Sequence, residues 1–250
     1  MRSIRSRQVH LAGIFGMLAL FGVGCGGGGG HSNAFVYAQW TVADLDTPSL
    51  GLYCTDVDAG NVVLSMVNVN DPKQNPYIDT FPCNSLNYAG TSASVPVGTY
   101  SITVSLMGDP QVYGNNTTVL DQLGTTQTLG SGTNTLPQSD FQVNSFVLGW
   151  SVTSSGLPTT CAGVGARFVA LDVTFAGQSQ PTPYYLDCYN NGPPLKATPS
   201  LPFGTYSVQW QASLVDANDY YVPGIPTTPL TNYTVTTGVQ ANLGTAYFAY

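Results

Sequence analysis

Along several short stretches of this chain, apolar residues recur at every second position. Val62, Leu64 and Met66 do so, and Val169, Leu171 and Val173 repeat the spacing. Tyr100, Ile102, Val104 and Leu106 share one face at period two, as do Tyr206, Val208, Trp210 and Ala212. Successive side chains of a strand point to opposite faces, so this spacing predicts half-buried β-strands. Turn-forming clusters separate them: Asn70-Asp71-Pro72, Gly108-Asp109-Pro110 and the run Asn190-Asn191-Gly192-Pro193-Pro194. Several short strands closed by Gly- and Pro-rich turns predict two-sheet β-sandwiches and an all-β fold class.

The pattern occurs twice. Trp40, Cys54, Phe81-Pro82-Cys83 and Pro96-Val97-Gly98-Thr99-Tyr100-Ser101 are matched in order by Trp150, Cys161, Leu186-Asp187-Cys188 and Pro202-Phe203-Gly204-Thr205-Tyr206-Ser207. Near-constant spacing with small drifts is what duplication followed by loop changes leaves behind. The expected layout is a first sandwich over residues 35–144 and a second over 145–250. Two equivalent modules should each close on themselves, which pairs Cys54 with Cys83 and Cys161 with Cys188. Each bridge would close a loop of about 28 residues, worth roughly 3–4 kcal/mol in a chain-entropy picture. Such bridges belong outside a reducing cytosol.

Before residue 35 the character changes. Arg2, Arg5 and Arg7 precede an apolar stretch from Leu11 to Gly24, too short to span a bilayer as a helix and laid out like a secretory signal. It ends in Phe21-Gly22-Val23-Gly24-Cys25, followed by five glycines, Gly26–Gly30. The small residues before Cys25 resemble the lipobox of bacterial lipoproteins. That resemblance implies a signal peptide over residues 1–24 and a diacylglyceryl group on Cys25. It further implies fatty acylation, such as palmitate, and passage to the outer membrane, since the residue after Cys25 is not Asp. Residues 25–34 then read as a lipidated Cys and a flexible tether. Acylation also accounts for the odd one of five cysteines.

The motif Pro-x-Gly-Thr-Tyr-Ser, at Pro96–Ser101 and Pro202–Ser207, resembles the strand entry of prealbumin-like and carboxypeptidase-regulatory-like modules. The resemblance implies tandem Ig-like or prealbumin-like sandwiches of the kind used as spacers on bacterial surfaces. True immunoglobulin domains place Trp between their two Cys, whereas Trp40 and Trp150 precede both. Isopeptide-forming domains need matched lysines, and Lys73 and Lys196 stand at unmatched positions.

Charge narrows the partners. Loss of the three N-terminal arginines leaves Lys73, Arg167 and Lys196 against thirteen acids, all of them Asp. Nucleic-acid binding rests on neutralising phosphates, so it is not expected. Charged residues make up 8% of the chain, against about 25% in ordinary domains. Apart from His31 in the tether, the mature chain has no imidazole for a Ser–His or Cys–His pair, and the body cysteines lack zinc-like spacing. No enzyme activity, cofactor or metal is expected. Asp56, Asp58 and Asn61 crowd oxygen atoms as calcium loops do, but the second copy has Gly163 and Gly165 there, so a solvated turn is the reading.

Trp40, Trp150 and Trp210 are expected in the cores. The doublets Tyr184-Tyr185 and Tyr220-Tyr221, if in strands, each send one ring outward. Tyr185 and Tyr221 are therefore the candidate ligand-binding residues. The expected function is a lipid-anchored cell-envelope spacer, adhesin or accessory subunit. It would bind the membrane through its anchor, and another envelope protein or a surface polysaccharide through its modules. The alternative is a carbohydrate-binding surface lipoprotein.

Overall fold

Alternation of side chains organises both halves. The computed structural model describes residues 32–45, 51–188 and 200–250, so Cys25, the tether and Lys196 lie outside the described residues. The first half contains β1 (Asn33–Asp44), β2 (Ala59–Asn68), β3 (Tyr77–Pro82), β4 (Ala89–Thr91), β5 (Val95–Pro96), β6 (Gly98–Gly108), β7 (Val119–Leu129), β8 (Gly132–Thr135) and β9 (Ser139–Val143). One sheet runs β3-β2-β6-β7, antiparallel throughout. In the other, β1 pairs antiparallel with β4 and β5, and parallel with β8 and β9. Ala34, Val36, Ala38, Trp40 and Val42 of β1 are buried while the residues between them are not. They face Val62, Leu64 and Met66, which pair in register with Leu106, Val104 and Ile102, all buried in one core.

The second half repeats the plan with β10 (Phe146–Ser154), β11 (Leu157–Thr159), β12 (Phe168–Phe175), β13 (Thr182–Asp187), β14 (Tyr206–Val215), β15 (Thr231–Val235) and β16 (Ala241–Ala249). Its sheets run β11-β10-β16 and β13-β12-β14-β15. Val169, Leu171 and Val173 pair with Leu214, Ala212 and Trp210, and these six fill a second core. The fold is all-β.

Disulfides Cys54–Cys83 and Cys161–Cys188 close the open ends of the β2–β3 and β12–β13 hairpins, with all four residues buried. Trp40 lies against the first bridge. Its Nε1 donates to the Cys83 carbonyl at 2.9 Å and its ring stacks on Phe81 at 6.1 Å. Trp150 packs against the second core, as expected, but is only half-buried. An open cleft of about 240 Å³ beside it, lined by Pro158, Thr159 and Cys161, leaves part of the ring in solvent.

Strand direction fixes how the chain passes through each module. β1 is parallel to β9, with Asp44 opposite Val143, and β10 is parallel to β16, with Thr153 opposite Ala249. Parallel partners start at the same pole, so the chain enters each sandwich at one pole and leaves at the other. Only Asn144 and Ser145 separate β9 from β10. Both are bolted to the second module: Asn144 Nδ2 donates to the Val239 carbonyl, Asn144 Oδ1 accepts the Ala241 amide, and Gln240 Nε2 donates to the Ser145 carbonyl.

The two tryptophans test this account of the cores. Trp40→Phe strips the buried Cys83 carbonyl of its donor and should cost about 1–3 kcal/mol in urea unfolding. Trp150→Phe should cost less than half as much. Equal losses would contradict the difference in burial.

Candidate interaction surface

The second module carries an aromatic face that grows out of strand parity. Phe168 and Ala170 of β12 point away from the core that Val169 and Leu171 fill. They pair with Asp187 and Tyr185 of β13. Tyr185 is 48% exposed, and its ring meets Phe168 edge-on at 6.2 Å. The Arg167 guanidinium sits 5.4 Å over the Phe168 ring while its Nη2 lies 3.1 Å from Asp187 Oδ2. A cation over an aromatic face and a fixed carboxylate partner hold this edge in one arrangement.

Tyr221 joins from the turn that follows β14, where it bridges to Val215. Burial raises the Tyr185 phenol above its ordinary range, and the nearby Asp219, Asp172 and Tyr221 raise it further. Tyr221, opposite Val215, therefore lies in the cross-strand row of Phe168, on the same outward face as Tyr185. The doublets behave differently from each other. In β13, alternation sends Tyr185 out and leaves Tyr184 half-buried. Tyr220-Tyr221 is not within a strand but in a turn, so both rings face solvent, at 72% and 62% exposure.

The first module lacks this face. Its register sets Asn61 opposite Pro82 and Val63 opposite Thr80, in the places that Phe168, Asp187, Ala170 and Tyr185 occupy in the second. A sandwich of this plan therefore folds without the aromatics. Phe168, Arg167 and Asp187 escape a reading of the sequence because only the cross-strand register shows what they adjoin.

The other expected sites divide. The Asp56 carboxylate accepts the Tyr53 amide, and Asp58 adopts a left-handed conformation with its carbonyl accepting the Asp109 amide. Both shape the turn leading into β2. Among the described residues no three His, Cys, Asp or Glu side chains gather as a cation site would need. Asp121 and Asp140 line a pocket of about 170 Å³ between the modules, but both are engaged. Asp121 accepts the Gln122 and Gln142 amides, and burial nevertheless raises its carboxyl. Asp140 accepts from Gln138 and Thr41, which lower its carboxyl.

Among the described residues, hydrogen bonds from Tyr113 and Phe203 clasp the junction itself. The Tyr113 hydroxyl donates to the Ser200 carbonyl at 2.5 Å, and the Phe203 amide donates to the Val119 carbonyl at 2.7 Å. A cavity of about 400 Å³ lies beside Tyr113, lined also by Phe175, Gln178, Tyr184 and Pro202.

Neither a known family profile nor a curated protein matches the chain. Solved structures resemble it loosely. The Bacillus anthracis TIE protein does so at 10% identity and a TM-score of 0.32, over 88% of this chain and 34% of that one. A candidate adhesin from Bacteroides ovatus gives 10% identity and 0.35, over 80% and 77%. The open pilus adhesin SpaC from Lactobacillus rhamnosus GG gives 12% and 0.32, over 87% and 31%. The chain spans about a third of the length of the Bacillus and Lactobacillus proteins. Likeness this loose carries no functional argument.

Alkaline titration probes the buried phenols. Burial raises both Tyr113 and Tyr206 well above 10.0, with Asp58 and Tyr184 adding to Tyr113 and Tyr184 to Tyr206. An acid whose folded pKa is raised stabilises the fold fully below its unfolded pKa. That stability should vanish as pH climbs from about 10 through the raised values. Urea unfolding monitored with 295 nm absorbance should show Tyr113 and Tyr206 ionising only as stability falls. Ionisation of every tyrosine in one step near 10, with the protein still folded, would contradict it.

Proposed function

We propose that this chain is a lipid-anchored spacer of the bacterial cell envelope that carries a partner-binding face away from the membrane. The observation behind this reading is the pole-to-pole path of the chain. With the first and last strands parallel in each module, Ser32 and Tyr250 fall at opposite ends of the pair. A chain held at Cys25 through the Gly26–Gly30 tether would then present the Tyr220-Tyr221 end outward. Acylation of Cys25 rests on the lipobox resemblance, and two acyl signals hold a membrane where one chain does so only marginally. Two disulfides in a chain with few charges suit an oxidising compartment such as the outer-membrane surface or periplasm. The partner is an envelope protein or a surface polysaccharide, and the role is binding rather than catalysis.

Recognition of a surface polysaccharide is favoured by one specific feature. Phe168, Tyr185 and Tyr221 form their face only in the second module, where the fold does not demand them. Partly exposed rings of this kind stack on the apolar faces of sugars.

Intact-protein mass spectrometry with detergent-phase partitioning tests the anchor. The native chain should carry acyl mass and enter the detergent phase, and Cys25→Ser should stay aqueous. An unmodified Cys25 in the native protein would sink the anchor. Polysaccharide pull-downs test the aromatic face. Tyr185→Ala or Tyr221→Ala should weaken binding about tenfold each, the loss expected for one stacked ring of roughly 1–1.5 kcal/mol. Unchanged retention in both variants would remove the sugar reading.

A further inference from the structure

The aromatic face of the second module already holds one cation. The Arg167 guanidinium lies 5.4 Å over the Phe168 ring, and the Asp187 carboxylate meets it at 3.1 Å. A ring under a positive charge with a carboxylate beside it is a general way to hold an organic cation. The same two ingredients recur around Tyr185. Tyr185 stands opposite Ala170 of β12, and Asp172 is the next outward residue along that strand, opposite Pro183. Diagonal neighbours on one face of a sheet lie within reach of long side chains. Asp219 belongs to the turn that carries Tyr221. Beyond the effect of burial, both carboxylates push the Tyr185 phenol up.

These two carboxylates are not spent on the fold. Asp187 is committed to Arg167, and Asp216 accepts the Asn218 and Tyr220 amides that shape its turn. Among the described residues Asp172 and Asp219 have no such side-chain partner, and the cation besides Arg167, Lys73, belongs to the first module. The floor of the face carries a second, independent mark. Ala212 and Leu214 point into the core, so Ser213 of β14 points outward, in register with Ala170. Ser213 and Ala170 are nevertheless closed to water, at 3% and 5% exposure, whereas the corresponding Val63 and Ser105 of the first module are half-exposed. Ser213 Oγ has no hydrogen-bond partner. A hydroxyl buried in that state is costly until something arrives to complete it.

We infer that this face takes a sugar ring bearing a protonated amine, so that the polysaccharide it recognises is built of de-N-acetylated amino sugars. The inference rests on the sugar reading above and names its substrate class. The Tyr185 ring takes the C–H face of the sugar. Asp172 and Asp219 take the ammonium group, and Ser213 Oγ gains from a sugar hydroxyl the partner it lacks. Polymers of uronic acids are repelled by the same carboxylates.

Isothermal titration of the full chain with oligomers of glucosamine and of N-acetylglucosamine, matched in length, tests it. At low salt the free-amine oligomer should bind about tenfold more tightly, the factor expected when one desolvated ammonium gains a ring and a carboxylate. Raised salt should shrink that difference by screening. Asp172→Asn combined with Asp219→Asn should abolish it without weakening the acetylated oligomer. Ser213→Ala removes an unpartnered buried atom, so it should keep its stability in urea while binding both oligomers less tightly. Circular dichroism confirms that all variants are folded. Equal affinity of the native chain for the two oligomers, or unchanged affinity in Ser213→Ala, would overturn the proposal. Equal affinities that fall together in Tyr185→Ala would overturn it and leave sugar binding itself standing. Binding of neither oligomer would overturn it too, while retention of another polysaccharide through Tyr185 would keep the sugar reading.

Discussion

Parallel pairing between the first and last strand of each module is the constraint on which the rest depends. β1 beside β9 and β10 beside β16 force the chain to cross each sandwich from pole to pole. Antiparallel closure would have returned the chain to its entry pole and left no route to an end-to-end pair. Given that crossing, two residues suffice to connect the modules, and Asn144 and Ser145 are fixed by hydrogen bonds to the second. The exit pole of the first sandwich is brought against the entry pole of the second, where Tyr113 meets the Ser200 carbonyl and Phe203 meets Val119. The module-to-module junction follows from one choice of strand direction.

Duplication supplies two copies of that architecture, and divergence separates fold from function. Positions buried in both copies keep apolar side chains: Val62 and Val169, Leu64 and Leu171, Met66 and Val173. Outward positions differ freely. Where the first module has Asn61 and Thr80, the second has Phe168 and Tyr185, with Arg167 and Asp187 bracing the rings. Comparing two copies inside one chain thus sorts residues the sandwich needs from residues it merely carries. The aromatic face belongs to the second group, and that is why it is the surface proposed to bind a partner.

The sequence reveals the strands and their buried faces, because period-two alternation is a local property that burial enforces residue by residue. Val62–Leu64–Met66 and Tyr100–Ile102–Val104–Leu106 can be read directly, and all seven are buried in the structure. Less visible is anything that depends on which strand lies beside which. The parallel pairing of β1 with β9 leaves no periodicity of its own. Trp150 matches Trp40 by position, yet an open cleft beside it keeps it half in solvent. The Tyr220-Tyr221 doublet looks like Tyr184-Tyr185 in sequence, but it occupies a turn begun by the Asp216 carboxylate and shows both rings to water. The outward face shared by Tyr185, Tyr221 and Phe168 arises from register and from that turn, neither of which a linear pattern records.

The pole-to-pole path is measured most directly as the separation of its two ends. Pulsed electron resonance between spin labels placed at Asn33 and Ala249, in the full chain with its disulfides intact, reads that distance. Strands advance about 3.3 Å per residue, so two modules crossed in series should hold the labels more than about 45 Å apart. A separation near 20 Å would mean that the chain doubles back, and would contradict the account at its root.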